Sequence, residues 1–168
     1  ACSVALLYDH PDKGPQTIAE HKIAPKQHTS LILPMMQSLL DLAAISLSQV
    51  DAVAFGCGPG SFTGIRIAAS LAQGIAYANN LPVIPIASLA ATSQAAHMQY
   101  GWKKLLVAVD ARMKKVYWGV YQVKEWLVQP VTEERLIYPH EVTEIQQGQW
   151  YGIGDGWAAY QDELELGI

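Results

Sequence analysis

Basic residues are few in this chain, and cysteine is rarer still. The 168 residues carry 11 basic and 15 acidic side chains, which gives a formal net charge of −4 and a pI near 5.7. Nucleic-acid surfaces draw much of their affinity from clustered cations, so this balance argues against a dominant nucleic-acid-binding surface. The densest basic patches are only residues 103–104 and 112–115. Any RNA contact is therefore expected to be minor or shared.

Two further absences narrow the class of protein. Cys2 and Cys57 show neither metal-ligand nor CxxC spacing, and they fit free thiols in a reducing compartment, which predicts the cytoplasm. No apolar run is long enough to span a membrane, and no signal peptide is visible. With 51% hydrophobic residues, the chain can bury one or two compact cores. We therefore expect a soluble globular protein.

The most distinctive stretch is the glycine-rich turn at residues 56–66, GCGPGSFTGIR. It follows a strand-like run and precedes a helix-like run, with Ser61 or Thr63 placed to cap the first helical turn. Backbone N–H groups and the positive end of a helix dipole meet at such a place and can bind an anion. The spacing matches neither a phosphate loop nor a dinucleotide fingerprint. Close backbone packing is therefore the favoured interpretation, and phosphate binding is the alternative.

The hydrophobic pattern predicts two α/β regions. In the first half the predicted order is β-β-α-β-α-β-α, with strands 3–8, 16–23, 50–55 and 81–86, the last two buried, and helices 31–44, 65–78 and 89–98. The pattern restarts at residue 104 with strands 105–109, 116–123, 124–130, 135–138 and 150–153 and a short helix from Pro139. We predict an N-terminal domain over 1–102 that lacks its first strand, and an incomplete C-terminal domain over 103–168.

The first two predicted helices have unusual surfaces. Apolar side chains lie almost all round 31–44, which indicates burial on two sides, and Pro34 fits only near a first helical turn. The helix 65–78 is small-sided, with Ala68, Ala69, Ser70, Ala72, Gly74, Ala76 and Ala78. Small residues let another helix approach closely. This helix therefore needs cover from its own domain or from a partner.

Candidate catalytic or metal-binding side chains are few. His28 precedes the first helix, but a metal site there needs a second histidine four residues later, and position 32 is isoleucine, so capping or a surface role is favoured. His21 alternates with apolar neighbours and is assigned to a solvent face. Asp110, beside Arg112 at a strand end, is either a catalytic carboxylate or half of an Asp–Arg pair that fixes a turn. The structural role is favoured.

A second glycine turn, GIGDGW at residues 152–157, also lies between a strand and a helix. It is a second candidate phosphate contact, and one such turn in each half is how nucleotide-binding clefts are built. A small-molecule kinase or ATPase that holds Mg²⁺ through Asp110 or Asp155 is therefore one hypothesis. A peptidase is another, but no nucleophile–base pair is evident, which argues against it.

Three motifs in order and spacing resemble the TsaB family, also called YeaZ: GPGSFTGIR at 58–66, DAR at 110–112 with Val116-Tyr117, and GDG at 154–156. His28-Thr29 and Leu33-Pro34 fit as well, and the resemblance covers essentially the whole chain. It implies the α/β fold of the actin-like, Hsp70-like and sugar-kinase-like (ribonuclease H-like) proteins, with two related halves. The family usually has a strand before this start and segments beyond this end, so a chain truncated at both ends is expected.

The resemblance implies a non-catalytic partner of TsaD, the enzyme that transfers a threonylcarbamoyl group to a tRNA adenosine next to the anticodon. The ATPase TsaE joins that assembly, and tRNA is contacted only indirectly. TsaD holds a metal through two histidines on its first helix, which His28 and Ile32 do not reproduce. The implied interface for TsaD, or for a second copy in a homodimer, lies on the first two helices from Leu31 onward. Arginine at Leu39 or Ala72 is predicted to abolish docking without unfolding the chain, and no cofactor or catalytic residue is predicted.

Overall fold

The computed structural model describes residues 2–23, 28–143 and 148–165. The strands are β1 (Cys2–His10), β2 (Gly14–Lys22), β3 (Val53–Gly58), β4 (Val83–Ala87), β5 (Lys104–Arg112), β6 (Lys115–Lys124), β7 (Leu127–Pro130), β8 (Arg135–Ile137) and β9 (Tyr151–Ile153). The helices are α1 (His28–Ala43), α2 (Phe62–Asn79), α3 (Ser88–Tyr100), α4 (Asp155–Ala159) and α5 (Gln161–Glu165). Short 3-10 helices lie at Leu47–Gln49 and Pro139–Glu141. The predicted order of the first half is confirmed, and none of the helices described is both long and apolar enough to cross a membrane.

The chain packs as two compact units. One unit contains Ala1–Phe55 and Phe62–Pro85, and the other contains Gly56–Ser61 and Ile86–Ile168. Helix α3 therefore belongs to the second unit, although the sequence assigned it to the first domain. The domain boundary after residue 102 stays a prediction. Both units combine helices with strands, as expected for an α/β protein.

In the first unit, helix α1 covers one face of a β-hairpin. Strands β1 and β2 pair antiparallel from Cys2↔Lys22 to His10↔Gly14, and side chains alternate between a covered and an exposed face. The inward face of α1 presents Met35, Leu39 and Leu40, all buried, and the Met35 sulfur lies 4.0 Å from the sulfur of buried Cys2. Only one side of α1 is therefore buried by the chain itself.

The ends of the first two helices differ from the predicted ends. Helix α1 begins at His28, so Pro34 lies in its second turn, where it lacks the N–H of a helical hydrogen bond. The helix ends at Ala43 and is followed by Ala44 in the left-handed region (φ 54°), with the Ile45 N–H bonded to the Leu40 carbonyl at 3.0 Å. Helix α2 begins at Phe62, so of the two candidate caps Ser61 directly precedes the helix, whereas Thr63 lies inside its first turn.

Strands β3 and β4 are more exposed than predicted. In the part of the chain that the structure describes, they form a two-stranded sheet with each other. Ile84 and Ile86 are 45% and 41% exposed, so the prediction of a buried strand is wrong for β4. A two-stranded sheet has two open edges and few neighbouring elements, which leaves its apolar side chains partly in solvent.

The second unit is built around a sheet with the order β7-β6-β5-β9, to which β8 adds by pairing with β6. Strands β5 and β6 are antiparallel, and β9 runs parallel to β5. One face of the sheet packs with α3 through Leu89, Leu105 and Tyr121. The other face packs Leu106 and Trp118 with side chains of the C-terminal segment, including Trp157 and Leu164. Cover on both faces explains why β5 is a continuous apolar run.

Candidate functional site

One face of α2 is exposed along the whole helix. It consists of Phe62, Arg66, Ser70, Gly74 and Tyr77, which recur at helical spacing. Phe62 is 68% exposed and Tyr77 is 92% exposed. The Arg66 guanidinium lies 3.7 Å from the centre of the Phe62 ring, a cation–π arrangement. On this face Arg66 and the small residues Ser70 and Gly74 lie between the two aromatic side chains, and another helix can pack against the small residues.

The neighbouring surface of α1 is also exposed. Leu33 and Leu42 are 49% and 74% exposed, whereas Leu31 and Ile32 are half-buried. A groove of about 430 Å³ runs beside α2 and is lined by Thr29, Phe62, Thr63, Arg66, Ile67, Ser70 and Leu71. Leu33 lies one helical turn after Thr29, which lines this groove, whereas Leu42 is nine residues from Leu33 and therefore lies on the opposite side of α1. We call Leu33, Phe62, Arg66 and Tyr77 the α1–α2 face. The role of Leu31 and of this face in binding a partner stays a prediction.

Two residues chosen from the sequence to test that interface lie in the core instead. Leu39 and Ala72 are 3% and 4% exposed, so each faces the interior of the chain. An arginine at either position would place a charge in the core, and the prediction that the fold stays intact is wrong. The sequence located both helices, but both are apolar or small on most faces, so the pattern did not separate inward from outward positions.

The metal site considered from the sequence would lie at the start of α1. His28 is the first residue of this helix, and its side chain lies outside the described part of the structure. Ile32, four residues later, provides no ligand atom. Within residues 2–23, 28–143 and 148–165, no group of three or more His, Cys, Asp or Glu side chains is arranged to hold a metal ion. The lack of a metal centre stays a prediction.

A serine–histidine pair on the β1–β2 hairpin was not foreseen. The register places Ser3 opposite His21, and the Ser3 hydroxyl lies 2.6 Å from His21 Nδ1. His21 is exposed, as predicted. The expectation that the chain lacks a hydrogen-bonded nucleophile–base pair is therefore wrong. A triad also needs a carboxylate that orients the histidine; the adjacent Glu20 points to the other face and pairs with Lys22 at 2.5 Å.

The two aspartates proposed as Mg²⁺ ligands hold the backbone in place. The Asp155 carboxylate accepts a hydrogen bond of 2.9 Å from the backbone N–H of Asp110. The Asp110 carboxylate accepts from the backbone N–H of Arg112 at 2.8 Å and from the Tyr160 hydroxyl at 3.1 Å. Burial, together with the bond to Asp110, raises the pKa of Tyr160. The partner of Asp110 is thus the Arg112 backbone rather than its guanidinium, and these contacts support a structural role.

The glycines of the second turn permit close packing. A side-chain carbon at Gly156 would lie 2.8 Å from the Ala108 carbonyl oxygen, and one at Gly154 would collide with the same atom. Gly154 also has φ +102°, which L-residues rarely adopt. The indole N–H of Trp157 donates to the Leu106 carbonyl at 3.1 Å, so the turn is fastened to β5. Packing against β5 accounts for these glycines without an anion.

The first glycine turn is different. Gly58 is buried and has φ +99°, so its backbone conformation favours glycine. A side-chain carbon at Gly56 would meet no atom within 4 Å, so close packing does not explain that glycine. The packing interpretation favoured from the sequence therefore fails at Gly56. Phosphate binding at this turn stays an untested alternative.

Comparisons with known proteins agree on one family. The family profile described as TsaD, tRNA N6-adenosine threonylcarbamoyltransferase, matches residues 18–159. The tRNA threonylcarbamoyladenosine biosynthesis protein TsaB of Haemophilus influenzae is 40% identical over an alignment of 179 positions, which covers 100% of this chain and 73% of that protein. TsaB of Escherichia coli is 41% identical over 167 residues, covering 96% of this chain and 70% of that protein.

A solved structure gives the same result for the backbone. It is the crystal structure of an uncharacterized Pseudomonas aeruginosa protein with similarity to the peptidase YeaZ, and it matches with a TM-score of 0.89 at 38% identity. The match covers 97% of this chain and 74% of that chain. The predicted actin-like, ribonuclease H-like α/β fold is confirmed. Sequence identity near 40% over almost the whole chain and a shared backbone lead to one conclusion: the chain belongs to the TsaB (YeaZ) family.

Proposed function

We propose that this chain is the non-catalytic partner of TsaD in the synthesis of threonylcarbamoyladenosine on tRNA. The relatives named TsaB are described as tRNA threonylcarbamoyladenosine biosynthesis proteins, and the matching family profile carries the name of the transferase itself. The observation that carries the proposal is the exposed α1–α2 face, with Tyr77 92% and Phe62 68% exposed. Such a face is the surface that a partner of similar fold would cover with its own helices.

The α1–α2 face has the chemistry of an interface. Aromatic residues and arginine are enriched in the centre of protein interfaces, and Phe62, Arg66 and Tyr77 supply both on one helix. Gly74, at an exposed position between Arg66 and Tyr77, has open space around its α-carbon. A partner helix can therefore approach the backbone of α2 closely, while the two aromatic rings bind at either end of the contact.

The hydrogen bonds of the Asp110 and Asp155 carboxylates favour a non-catalytic role for this chain in the assembly. Asp110 and Asp155 are bonded to backbone N–H groups of β5, and Asp110 also accepts from Tyr160. In the proposed assembly TsaD performs the transfer, TsaE supplies ATP hydrolysis, and this chain stabilises and positions TsaD. We place the assembly in the cytoplasm, where the free thiols of Cys2 and Cys57 would stay reduced.

The proposal is tested by co-purification of the chain with TsaD. We expect Leu33→Arg and Tyr77→Arg each to weaken the complex by about 30-fold or more, since loss of an interface anchor costs about 2 kcal/mol or more. Leu127→Arg and Trp126→Arg are matched controls, because these side chains are 66% and 81% exposed on the second unit, outside the α1–α2 face. The controls should bind TsaD normally.

Both outcomes are informative because all four positions are exposed. Thermal unfolding should give the same midpoint for the four variants and the unsubstituted chain, which separates binding from folding. Undiminished co-purification of Leu33→Arg and Tyr77→Arg would place the interface elsewhere. Failure of the unsubstituted chain to bind TsaD at all would reject the proposed function.

A further inference from the structure

The tip of the β5–β6 hairpin is the feature that the proposed function leaves unexplained. Arg112 pairs with Lys115 across the hairpin, so Met113 and Lys114 form a two-residue turn between them. We call residues 112–115 the basic tip. The sequence had already marked this stretch as one of the two densest basic patches in an acidic chain. The structure gathers three of its cations around one sharp turn.

The backbone of the basic tip is strained. Arg112, Met113 and Lys114 have φ angles of 62°, 53° and 60°, three consecutive non-glycine residues in the left-handed region. A two-residue turn with positive φ at both positions is normally made by Asn-Gly, because other side chains raise its free energy. Met113 is nevertheless 81% exposed and packs against little of the protein. Met113 and Lys114 thus make the turn less stable than Asn-Gly would. This indicates that their side chains have a functional role rather than a role in folding.

The charges of the basic tip are available to a ligand. Arg112 and Lys114 are exposed, and within the described residues no carboxylate lies at ion-pair distance from any of its three cations. Lys115 is held with its ammonium group 4.6 Å from the centre of the Tyr138 ring, a cation–π contact. The tip therefore presents two free cations beside one fixed cation.

The carboxylates of the neighbouring elements are engaged with other groups. Asp110 accepts hydrogen bonds from the Arg112 backbone and from Tyr160. Glu141 accepts from the backbone N–H of Tyr138 at 3.0 Å, and Glu163 lies 3.6 Å from His140. These acidic groups lower the net positive charge of the region but do not cover Arg112 or Lys114.

We propose that the basic tip binds the phosphate backbone of the tRNA that the TsaD assembly modifies. This inference rests on the proposed function, because that function supplies the RNA. Exposed Arg and Lys side chains that lack a carboxylate are the groups that bind phosphate oxygens, and a narrow hairpin tip can follow a curved strand of RNA. Composition predicted at most a minor or shared RNA contact, and the family resemblance implied an indirect one; the contact proposed here is direct but small.

An acidic protein surface is the competing ligand, and the tip fits it less well. The centre of a protein interface is depleted of charged residues and enriched in buried apolar groups. The basic tip offers a single apolar side chain, Met113, among Arg112, Lys114 and Lys115. Phosphate binding, in contrast, needs no apolar area.

The test is a titration of labelled, unmodified tRNA transcript into the complex of this chain with TsaD, at several salt concentrations. We expect the double variant Arg112→Gln/Lys114→Gln to weaken tRNA binding about three- to tenfold at ~0.1 M salt, and to reduce the slope of log K against log salt by about one to two. The matched control is Lys13→Gln/Lys124→Gln, which removes the same charge from the other hairpin and from the opposite end of β6.

A second variant separates charge from backbone strain. Met113→Asn/Lys114→Gly installs the preferred turn, so its thermal midpoint should equal or exceed that of the unsubstituted chain. Its tRNA binding should nevertheless fall, because one of the free cations is lost. Unchanged tRNA affinity in this variant and in Arg112→Gln/Lys114→Gln would overturn the inference.

The remaining outcomes separate this inference from the proposed function. If the tip variants lose TsaD rather than tRNA, the tip is a protein contact and the RNA assignment is wrong. If the matched control weakens tRNA binding equally, the effect is one of overall charge and the assignment also fails. If the unsubstituted chain does not bind TsaD, the proposed function fails; the titration is then made on the chain alone, where loss of binding only in the tip variants would still support the RNA contact.

Discussion

Tyr121 shows how a single buried group gives the second unit a pH-dependent stability. Its ring is 1% exposed, and its hydroxyl donates a hydrogen bond to the Glu134 carboxylate. Burial is the largest cause that raises the pKa of Tyr121 above its ordinary value near 10, followed by the bond to Glu134 and by the charge of that carboxylate. The folded chain thus keeps the phenolic proton at pH values where the unfolded chain has lost it.

The sign of the pH dependence follows from this difference. Below about pH 10 both states hold the proton and the stabilisation is complete; above it the unfolded state ionises first, so the free energy of unfolding falls by up to ~1.4 kcal/mol per pH unit. We expect Tyr121→Phe to lose about 1 kcal/mol at neutral pH and to show a shallower decline above pH 10. Denaturant titrations at neutral and alkaline pH measure both effects.

Glu134→Gln is the companion variant for this prediction. It keeps an acceptor oxygen for the Tyr121 hydroxyl but removes the carboxylate charge, so it should reduce the alkaline decline less than Tyr121→Phe does. An alkaline decline in Tyr121→Phe as steep as that of the unsubstituted chain would show that Tyr121 is not its source.

At the scale of elements, the sequence predicted the kind and order of most helices and strands. Strand β5 was predicted because Leu105, Leu106 and Val107 form a continuous apolar run, and all three are buried. The start of α1 was placed late because its apolar pattern begins only at Leu31, whereas the helix includes the polar residues from His28 onward. The spacing of apolar residues indicates which face of a helix is buried. It does not show where a helix begins or ends when its terminal residues are polar.

The contacts that decide the candidate sites were beyond the sequence. Asp110 and Asp155 are 45 residues apart, and only the parallel pairing of β5 with β9 explains why they meet. Ser3 lies opposite His21 because of the hairpin register, which turn length sets. The exposure of β4 depends on how many strands flank it, a property that its own apolar pattern does not contain. Local patterns thus predicted elements, and pairing between distant segments determined the sites.

The glycine turn before α4 provides a test of the packing interpretation. We expect Gly154→Ala to destabilise the chain by about 2 kcal/mol or more, because its methyl group would collide with the Ala108 carbonyl and its φ is +102°. Gly74→Ala is the matched control, since it lies inside α2 with open space around it and should stabilise the chain by about 0.5 to 1 kcal/mol. Thermal unfolding measures both, and a neutral Gly154→Ala would contradict the packing role.

For the whole molecule, the proposed contacts lie on different units. The α1–α2 face belongs to the first unit, and the basic tip belongs to the second. A substitution in one is therefore expected to leave the other contact intact, because the two surfaces have no residue in common. The net charge of −4 also implies that positive charge at residues 112–115 is a local feature rather than part of a general affinity for polyanions.

The α1–α2 face further predicts competition between two assemblies. If a second copy of the chain and TsaD cover the same helices, a homodimer cannot bind TsaD without dissociating first. Sedimentation velocity of the chain alone should show a concentration-dependent dimer, and equimolar TsaD should replace it with a one-to-one complex. Tyr77→Arg should abolish both the homodimer and the complex with TsaD, because Tyr77 is expected to contribute to both contacts. The side chain is 92% exposed, so the substitution should not disturb the core. Trp126→Arg should preserve both. A species with two copies of the chain and one of TsaD would show that the two contacts use separate surfaces, and the single-face assignment would then be wrong.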